Sequence, residues 1–206
     1  MVKKEVEWLS NPRFVKDGPF IFEINTDFRV AIKCNGIAKN SNISDIEKIL
    51  AINYLLFGKR GLEYENQKKL FELGIKYISF NQDQKSLKNE PHEKHRLDFE
   101  KCEGLIKSSF KFDYGYDPYE KKYIHWYDFY NDLENLSSNE FGTCCILNRV
   151  NNLLNTDLSK IKDVKERERI KEAQEQIIEK YCYEEVTMTK EQEKNAEELY
   201  RQLGII

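Results

Sequence analysis

Ser44-Asp45-Ile46-Glu47-Lys48-Ile49-Leu50-Ala51-Ile52-Asn53-Tyr54-Leu55-Leu56-Phe57-Gly58 is the stretch that decides the fold class. Ser44 with Glu47 three residues on is a capping box: the Ser oxygen takes the Glu47 amide while the carboxylate reaches back. Behind it, Ile46, Ile49, Leu50, Tyr54 and Phe57 stand three and four residues apart, the period of a helix. Ala51, Ile52, Leu55 and Leu56 add apolar residues on its other faces. A helix apolar nearly all round belongs in the middle of a core. Gly58 supplies a left-handed stop, and Lys59 and Arg60 suit the negative end of the helix dipole. Gly58-Lys59-Arg60-Gly61 is too short for a phosphate-binding loop, which needs GxxxxGK[ST] after a strand.

The same period spreads outward in both directions. Upstream, Asn25-Thr26-Asp27 offers an N-cap before Phe28, Val30, Ala31 and Ile32. Downstream, Leu70, Leu73, Ile75, Tyr77, Ile78 and Phe80 mark a third helix. Residues 81–95 are polar, contain Pro91 and read as a loop. Leu97, Phe99, Cys102, Leu105, Ile106, Ser109 and Phe110 mark a fourth helix, ending in the turn-like Asp113-Tyr114-Gly115-Tyr116-Asp117-Pro118. A fifth runs from Tyr123 to Leu136 with Trp126, Phe129, Tyr130 and Leu133 on one stripe, and a sixth from Phe141 to Leu154. Ile170, Ala173, Ile177 and Tyr181 form a narrow stripe on a highly charged seventh. Thr189-Lys190-Glu191-Gln192, another capping box, opens an eighth with Ala196, Leu199 and Leu203.

These signals predict an all-α protein: a compact multi-helix domain over residues 24–155, an N-terminal arm over 1–23 and a charged C-terminal helical extension over 156–206. In the arm, Phe20-Ile21-Phe22-Glu23-Ile24 reads as a short extended segment with no strand partner at hairpin distance. From Ser159 onward nearly half the residues are charged, in mixed sign. That composition suits a solvated helix or one that packs on a partner.

Composition narrows the function classes. The chain has 206 residues, enough for one ordinary domain, and its 12 Tyr and 12 Phe are ample for a core. Lys+Arg 33 against Asp+Glu 36 gives a net charge of −3, which lacks the basic balance of a nucleic-acid or membrane-surface binder. No apolar run approaches the ~18 residues that would cross a bilayer, and MVKKEVEWLS lacks the apolar stretch of an export signal. A soluble, unexported chain is expected. The five cysteines are odd in number and include no CxxC pair, which suits buried thiols in a reducing compartment.

The candidates for chemistry are sparse. His92 and His95 with Cys102 could hold a metal, but that set is one ligand short of a closed zinc site and His92-Glu93-Lys94-His95 is not HExxH. His125 stands on an aromatic stripe with no Ser or Cys nucleophile near it in sequence, and reads as a satisfied core or groove histidine. Lys160, Lys162, Lys165, Arg167, Arg169 and Lys171 could line a nucleic-acid adaptor, but Asp163, Glu166, Glu168 and Glu172 interleave them. The cluster Tyr114, Tyr116, Tyr119, Tyr123, Trp126, Tyr127, Phe129 and Tyr130 exceeds what a core of this size needs. Part of it is expected at a protein interface, where half-exposed Tyr and Trp are enriched. Trp126, Phe129 and Tyr130 share one helix face; Tyr123 and Tyr127 lie beside it, where a groove rim would be. The expected partner-binding set is therefore Tyr123, Trp126, Tyr127 and Tyr130, and the expected self-association stripe is Ile170, Ala173, Ile177 and Tyr181.

Several segments carry a resemblance. They are Ile24-Asn25-Thr26-Asp27-Phe28-Arg29, Ile49-Leu50 with Leu55-Leu56-Phe57, and Asp98-Phe99-Glu100 with Leu105-Ile106 and Ser109-Phe110. Tyr114-Gly115-Tyr116-Asp117, His125-Trp126-Tyr127-Asp128-Phe129, Arg149 and Asp157-Leu158-Ser159-Lys160-Ile161-Lys162-Asp163 follow in order. In this order and spacing, over about residues 24–178, the chain resembles a family of small phage proteins from Gram-positive hosts. They are encoded just before the tail tape-measure gene and are regarded as tail assembly chaperones. Tyr116 stands where that family would have a small aliphatic, and the tail beyond Ile178 is longer. The resemblance implies a helical, non-enzymatic protein of the host cytoplasm. It would hold the tape-measure protein until tube protein polymerises around it; covering a long client takes many copies, so self-association is expected. No cofactor, metal, nucleic acid, membrane or small-molecule substrate is implied.

Overall fold

The computed structural model describes residues 11–17, 20–40, 42–58, 64–80, 97–138, 144–183 and 189–202. Eight α-helices and one two-stranded sheet lie among them, so the chain is predominantly helical, as the capping boxes and apolar spacing predict.

The sheet corrects the reading of the arm. β1 (Phe14–Asp17) pairs antiparallel with β2 (Phe20–Glu23), with Phe14 opposite Glu23 and Asp17 opposite Phe20. Only residues 18 and 19 separate the strands, the shortest ordinary hairpin connection. The partner is missed in sequence because four residues, two of them Lys16 and Asp17, are too few for an alternating pattern to stand out. Val15 and Phe22, directly opposite each other, pack against the core, where Phe22 meets Phe57 edge to face at 6.4 Å. The Ile24 N–H donates to Arg13 O at 3.0 Å and the Asn25 N–H to Leu56 O at 2.7 Å, which ties the hairpin to the helices.

α1 (Phe28–Lys39), α2 (Asp45–Phe57) and α3 (Tyr64–Ile78) pack on one another. Both halves of the Ser44–Glu47 capping box are present, and Gly58 closes α2 at φ 62°. Buried Asn53 of α2 donates to the backbone O and the side-chain Oε1 of Gln67 on α3, both at 2.7 Å. α3 approaches α2 so closely that a Cβ on Gly74 would stand 2.8 Å from Leu56 Cδ1.

α4 (Glu103–Tyr114), α5 (Trp126–Glu134) and α6 (Ile146–Leu154) complete the domain. α4 begins six residues after Leu97, later than its apolar pattern suggests. Leu97 forms a bridge with Cys182, and Asp98 instead caps a turn by accepting the Glu100 N–H at 2.9 Å. The core centres on stacked aromatics: Phe129 lies 4.2 Å from Phe28 and 5.4 Å from Phe110, ring centre to ring centre, and all three are fully buried.

The charged region is tied back to this core. In α7 (Val164–Tyr181) the first turns are solvated, but the last half packs on α6 through Leu154, Ile177 and Cys182. Gln174 Nε2 donates to the carbonyls of Leu153, Leu154 and Thr156, and the Asp98 N–H donates to Tyr181 O at 2.8 Å. α8 (Lys190–Gln202), capped by Thr189 and Gln192, joins its Tyr200 hydroxyl to the Glu47 carboxylate at the start of α2.

Candidate functional site

Two surfaces flank the segment 24–27, and the first is built on α5. The chain enters that helix through Tyr123-Ile124-His125, which runs beside the entry to α1: Trp126 N–H donates to Thr26 O at 2.7 Å and Phe28 N–H to Ile124 O at 3.1 Å. His125 is the N-cap; its Nδ1 accepts the Tyr127 N–H at 3.1 Å and its Nε2 faces Pro12 O at 3.3 Å. Both ring nitrogens are thus engaged in holding the helix, and burial pulls the imidazole pKa below its ordinary value.

The structure separates the four aromatic candidates. Trp126 is 1% exposed and donates its Nε1–H to Ile78 O at 3.1 Å, so it supports the surface from beneath. Tyr127 is half-buried: its ring stacks on Tyr77 at 5.1 Å and its hydroxyl donates to Tyr77 O at 3.2 Å. Burial pushes that phenol up to about 12. Tyr130 is half-buried against Phe80 at 4.4 Å. Tyr123 is 49% exposed, and its hydroxyl shares a 2.6 Å hydrogen bond with Thr26 Oγ1. The residue that organises this cluster is Phe80, which sequence reasoning treats as the last apolar position of a helix. It lies beyond the end of α3 at φ 56°, a left-handed conformation unfavourable for an aromatic residue, and its ring packs against Trp126, Tyr127 and Tyr130.

The second surface is an open groove of about 530 Å³ at the junction of β2, α1 and α2. Ile24, Val30, Leu55, Leu56 and Phe57 wall it, Tyr54 stands at its mouth 46% exposed, and Glu23 and Asn25 add polar groups at the edge. Sequence reasoning missed this groove. The available signal was the apolar excess of α2, whose Tyr54 and Leu55 point away from the inner face.

The segments that carry the family resemblance both border these surfaces and hold the fold: Ile24, Asn25 and Leu55-Leu56-Phe57 line the groove, and His125-Trp126-Tyr127-Asp128-Phe129 opens α5. Asp27, Asp117, Asp157 and Asp163 are N-caps, each accepting a backbone N–H from the turn that follows. Arg29 forms a 2.9 Å ion pair with Asp27 and donates to the carbonyls of Tyr119 and Lys121 across the turn before α5.

The remaining candidates are not brought together. Ile177 is buried and Tyr181 half-buried inside the chain, which occupies half of the expected self-association stripe; Ile170 and Ala173 are partly covered. His92 and His95 lie outside the described residues. Cys102 is buried, with its thiol pushed up to about 12 by desolvation, and no group of three or more His, Cys, Asp or Glu placed to hold a metal occurs among the described residues. Lys160, Lys162, Lys165, Arg167, Arg169 and Lys171 are exposed, and two pair locally, Lys160 with Asp157 and Lys171 with Glu175. No helix among the described residues is long and apolar enough to cross a membrane.

Comparison with curated proteins and with solved structures returns no match. Comparison with protein families matches residues 18–179, which span β2 and all the helices from α1 through most of α7. The chain belongs to the family described as bacteriophage Gp15 protein.

Proposed function

We propose that this phage protein is a non-enzymatic tail assembly chaperone that holds the tape-measure protein in the host cytoplasm before the tube forms around it. The observation that carries the reading is the open groove of mixed polarity between β2, α1 and α2, with the exposed Tyr54 ring at its mouth. An amphipathic client helix can lay its apolar stripe along such a groove, anchoring by side chains three or four apart. Tyr54 at the mouth offers an apolar ring with a polar tip, the kind of side chain that dominates binding energy at protein interfaces. Tyr123 and the exposed edge of Tyr130 extend the contact on the α5 side, while Trp126 and Tyr127 keep that side rigid.

The test is co-expression with the tape-measure protein of the same phage. The reading predicts that the tape-measure protein stays in the soluble fraction and co-purifies with this chain, and that it aggregates when expressed without it. Equal solubility in both cells, with no co-purification, contradicts the reading.

A further inference from the structure

The hairpin has an inner face and an outer one. Val15 and Phe22 turn inward; Phe14, Lys16, Ile21 and Glu23 are exposed on the opposite side, with Phe14 53% and Ile21 62% exposed. The register places Phe14 opposite Glu23 and Lys16 opposite Ile21. The outer face is therefore a square whose one diagonal, Phe14–Ile21, is apolar and whose other, Lys16–Glu23, carries opposite charges. We propose that this face is a self-association surface on which a second copy of the chain docks, about a two-fold axis along the Phe14–Ile21 diagonal.

The choice of axis follows from the pattern. A two-fold contact between identical faces needs an axis lying in the interface. An axis along the strands sets Phe14 of one copy over Glu23 of the other, and an axis across the strands sets Phe14 over Lys16. An axis along the charged diagonal sets Lys16 over Lys16 and Glu23 over Glu23. Only the apolar diagonal brings Phe14 to Phe14 and Ile21 to Ile21 while setting each Lys16 against the Glu23 of the other copy. The two hairpins then cross near a right angle, one of the two ordinary ways for sheets to pack. Neither Lys16 nor Glu23 has an ion-pair partner among the described residues, so both charges are available to a second copy.

Two strands of four residues cover a small fraction of the ~800 Å² per partner of a stable interface, so the pair is weak in isolation. Copies brought side by side on one long client would gain from it, because tethering raises their local concentration. The pairing itself requires no client. It replaces the α7 stripe, half of which is occupied within the chain.

The experiment is sedimentation velocity on the purified full chain, without client, over two decades of concentration up to the solubility limit. The wild type should shift reversibly from monomer toward dimer. Lys16→Glu alone, and Glu23→Lys alone, should each weaken the dimer about tenfold or more, because each sets like charges opposite one another. An equimolar mixture of the two variants should dimerise at least as well as wild type, since every contact across a mixed pair then joins unlike charges. Lys16→Glu with Glu23→Lys in one chain should recover the wild-type behaviour for the same reason. A wild type that stays monomeric throughout, single variants that dimerise as well as wild type, or a mixture no better than its components would each overturn the proposal. Co-purification with the tape-measure protein, scored separately on wild type and on Lys16→Glu, which lies outside the groove, tells failure of this pairing from failure of the chaperone reading.

Discussion

The Nδ1 of His125 accepts the backbone N–H of Tyr127 at 3.1 Å, which places the ring proton on Nε2, facing Pro12 O at 3.3 Å. Protonation of Nδ1 would remove the cap of α5 and add a buried charge. Because burial lowers the folded-state pKa, the unfolded chain binds a proton that the folded chain refuses as pH falls below the ordinary His value of about 6.5. This contribution is fully present above that pH and is lost as pH falls toward the folded-state pKa. Urea melts between pH 5 and pH 8 should show the loss, with a slope of at most one proton, and His125→Asn, which keeps an N-capping acceptor, should flatten it.

The α5 aromatics should separate by burial. Trp126→Ala removes a fully buried ring and a hydrogen bond to Ile78 O, and should cost about 3–5 kcal/mol. Tyr123→Ala, at an exposed site, should stay within about 1 kcal/mol of wild type. Tyr127→Ala should fall between them, because its ring is stacked on Tyr77 and packed against Phe80 rather than set free at a rim. Chemical denaturation of the three variants gives the order directly.

Gly74→Ala tests how closely α3 lies on α2. Helix propensity alone favours Ala by about 1 kcal/mol in a helix interior. Here the new Cβ meets Leu56 Cδ1 at 2.8 Å and Phe57 Cε2 at 3.3 Å, so overpacking should win and the variant should lose about 1–2 kcal/mol net. A rise in thermal midpoint would show that the α2–α3 contact is looser than described.

Phe80 carries two opposed terms, a left-handed backbone and three aromatic contacts. Phe80→Ala loses the rings and keeps the backbone cost; Phe80→Gly loses the rings and relieves it. Gly should therefore be the more stable of the two by about 1 kcal/mol, the reverse of their order inside a helix. Equal melts for both variants would mean that the positive φ is not held in solution.

What the sequence discloses here is what local chemistry controls. The Ser44–Glu47 box, the Asp27 cap and the glycine stop at Gly58 act within one turn of chain, and each is legible. The inward position of Trp126 and Phe129 follows from helix period alone. The rest depends on which elements meet. The β1 strand becomes visible only through its partner, and Gly74 only through Leu56. Leu97 continues the apolar pattern of α4, yet it lies outside that helix because Cys182, far along the chain, bridges it. The stripe Ile170, Ala173, Ile177 and Tyr181 reads as a self-association seam; that its Ile177 end also packs within the chain beside Leu154 is a long-range contact that local spacing does not announce. The groove was hidden for a similar reason: its walls come from β2, α1 and α2, and no single periodicity spans all three.

The central claim is that the groove holds the client, and the most direct measurement is tape-measure binding by Tyr54→Asp beside Tyr123→Ala and wild type. Tyr54 is 46% exposed, and urea melts of each variant serve as the control that binding is compared between folded proteins. Removing the exposed aromatic ring and adding a carboxylate beside Glu23 at the mouth of the groove should weaken client binding by about 2 kcal/mol or more, roughly thirtyfold. Tyr123→Ala should weaken it less. A folded Tyr54→Asp variant that retains the tape-measure protein as well as wild type does would contradict the claim.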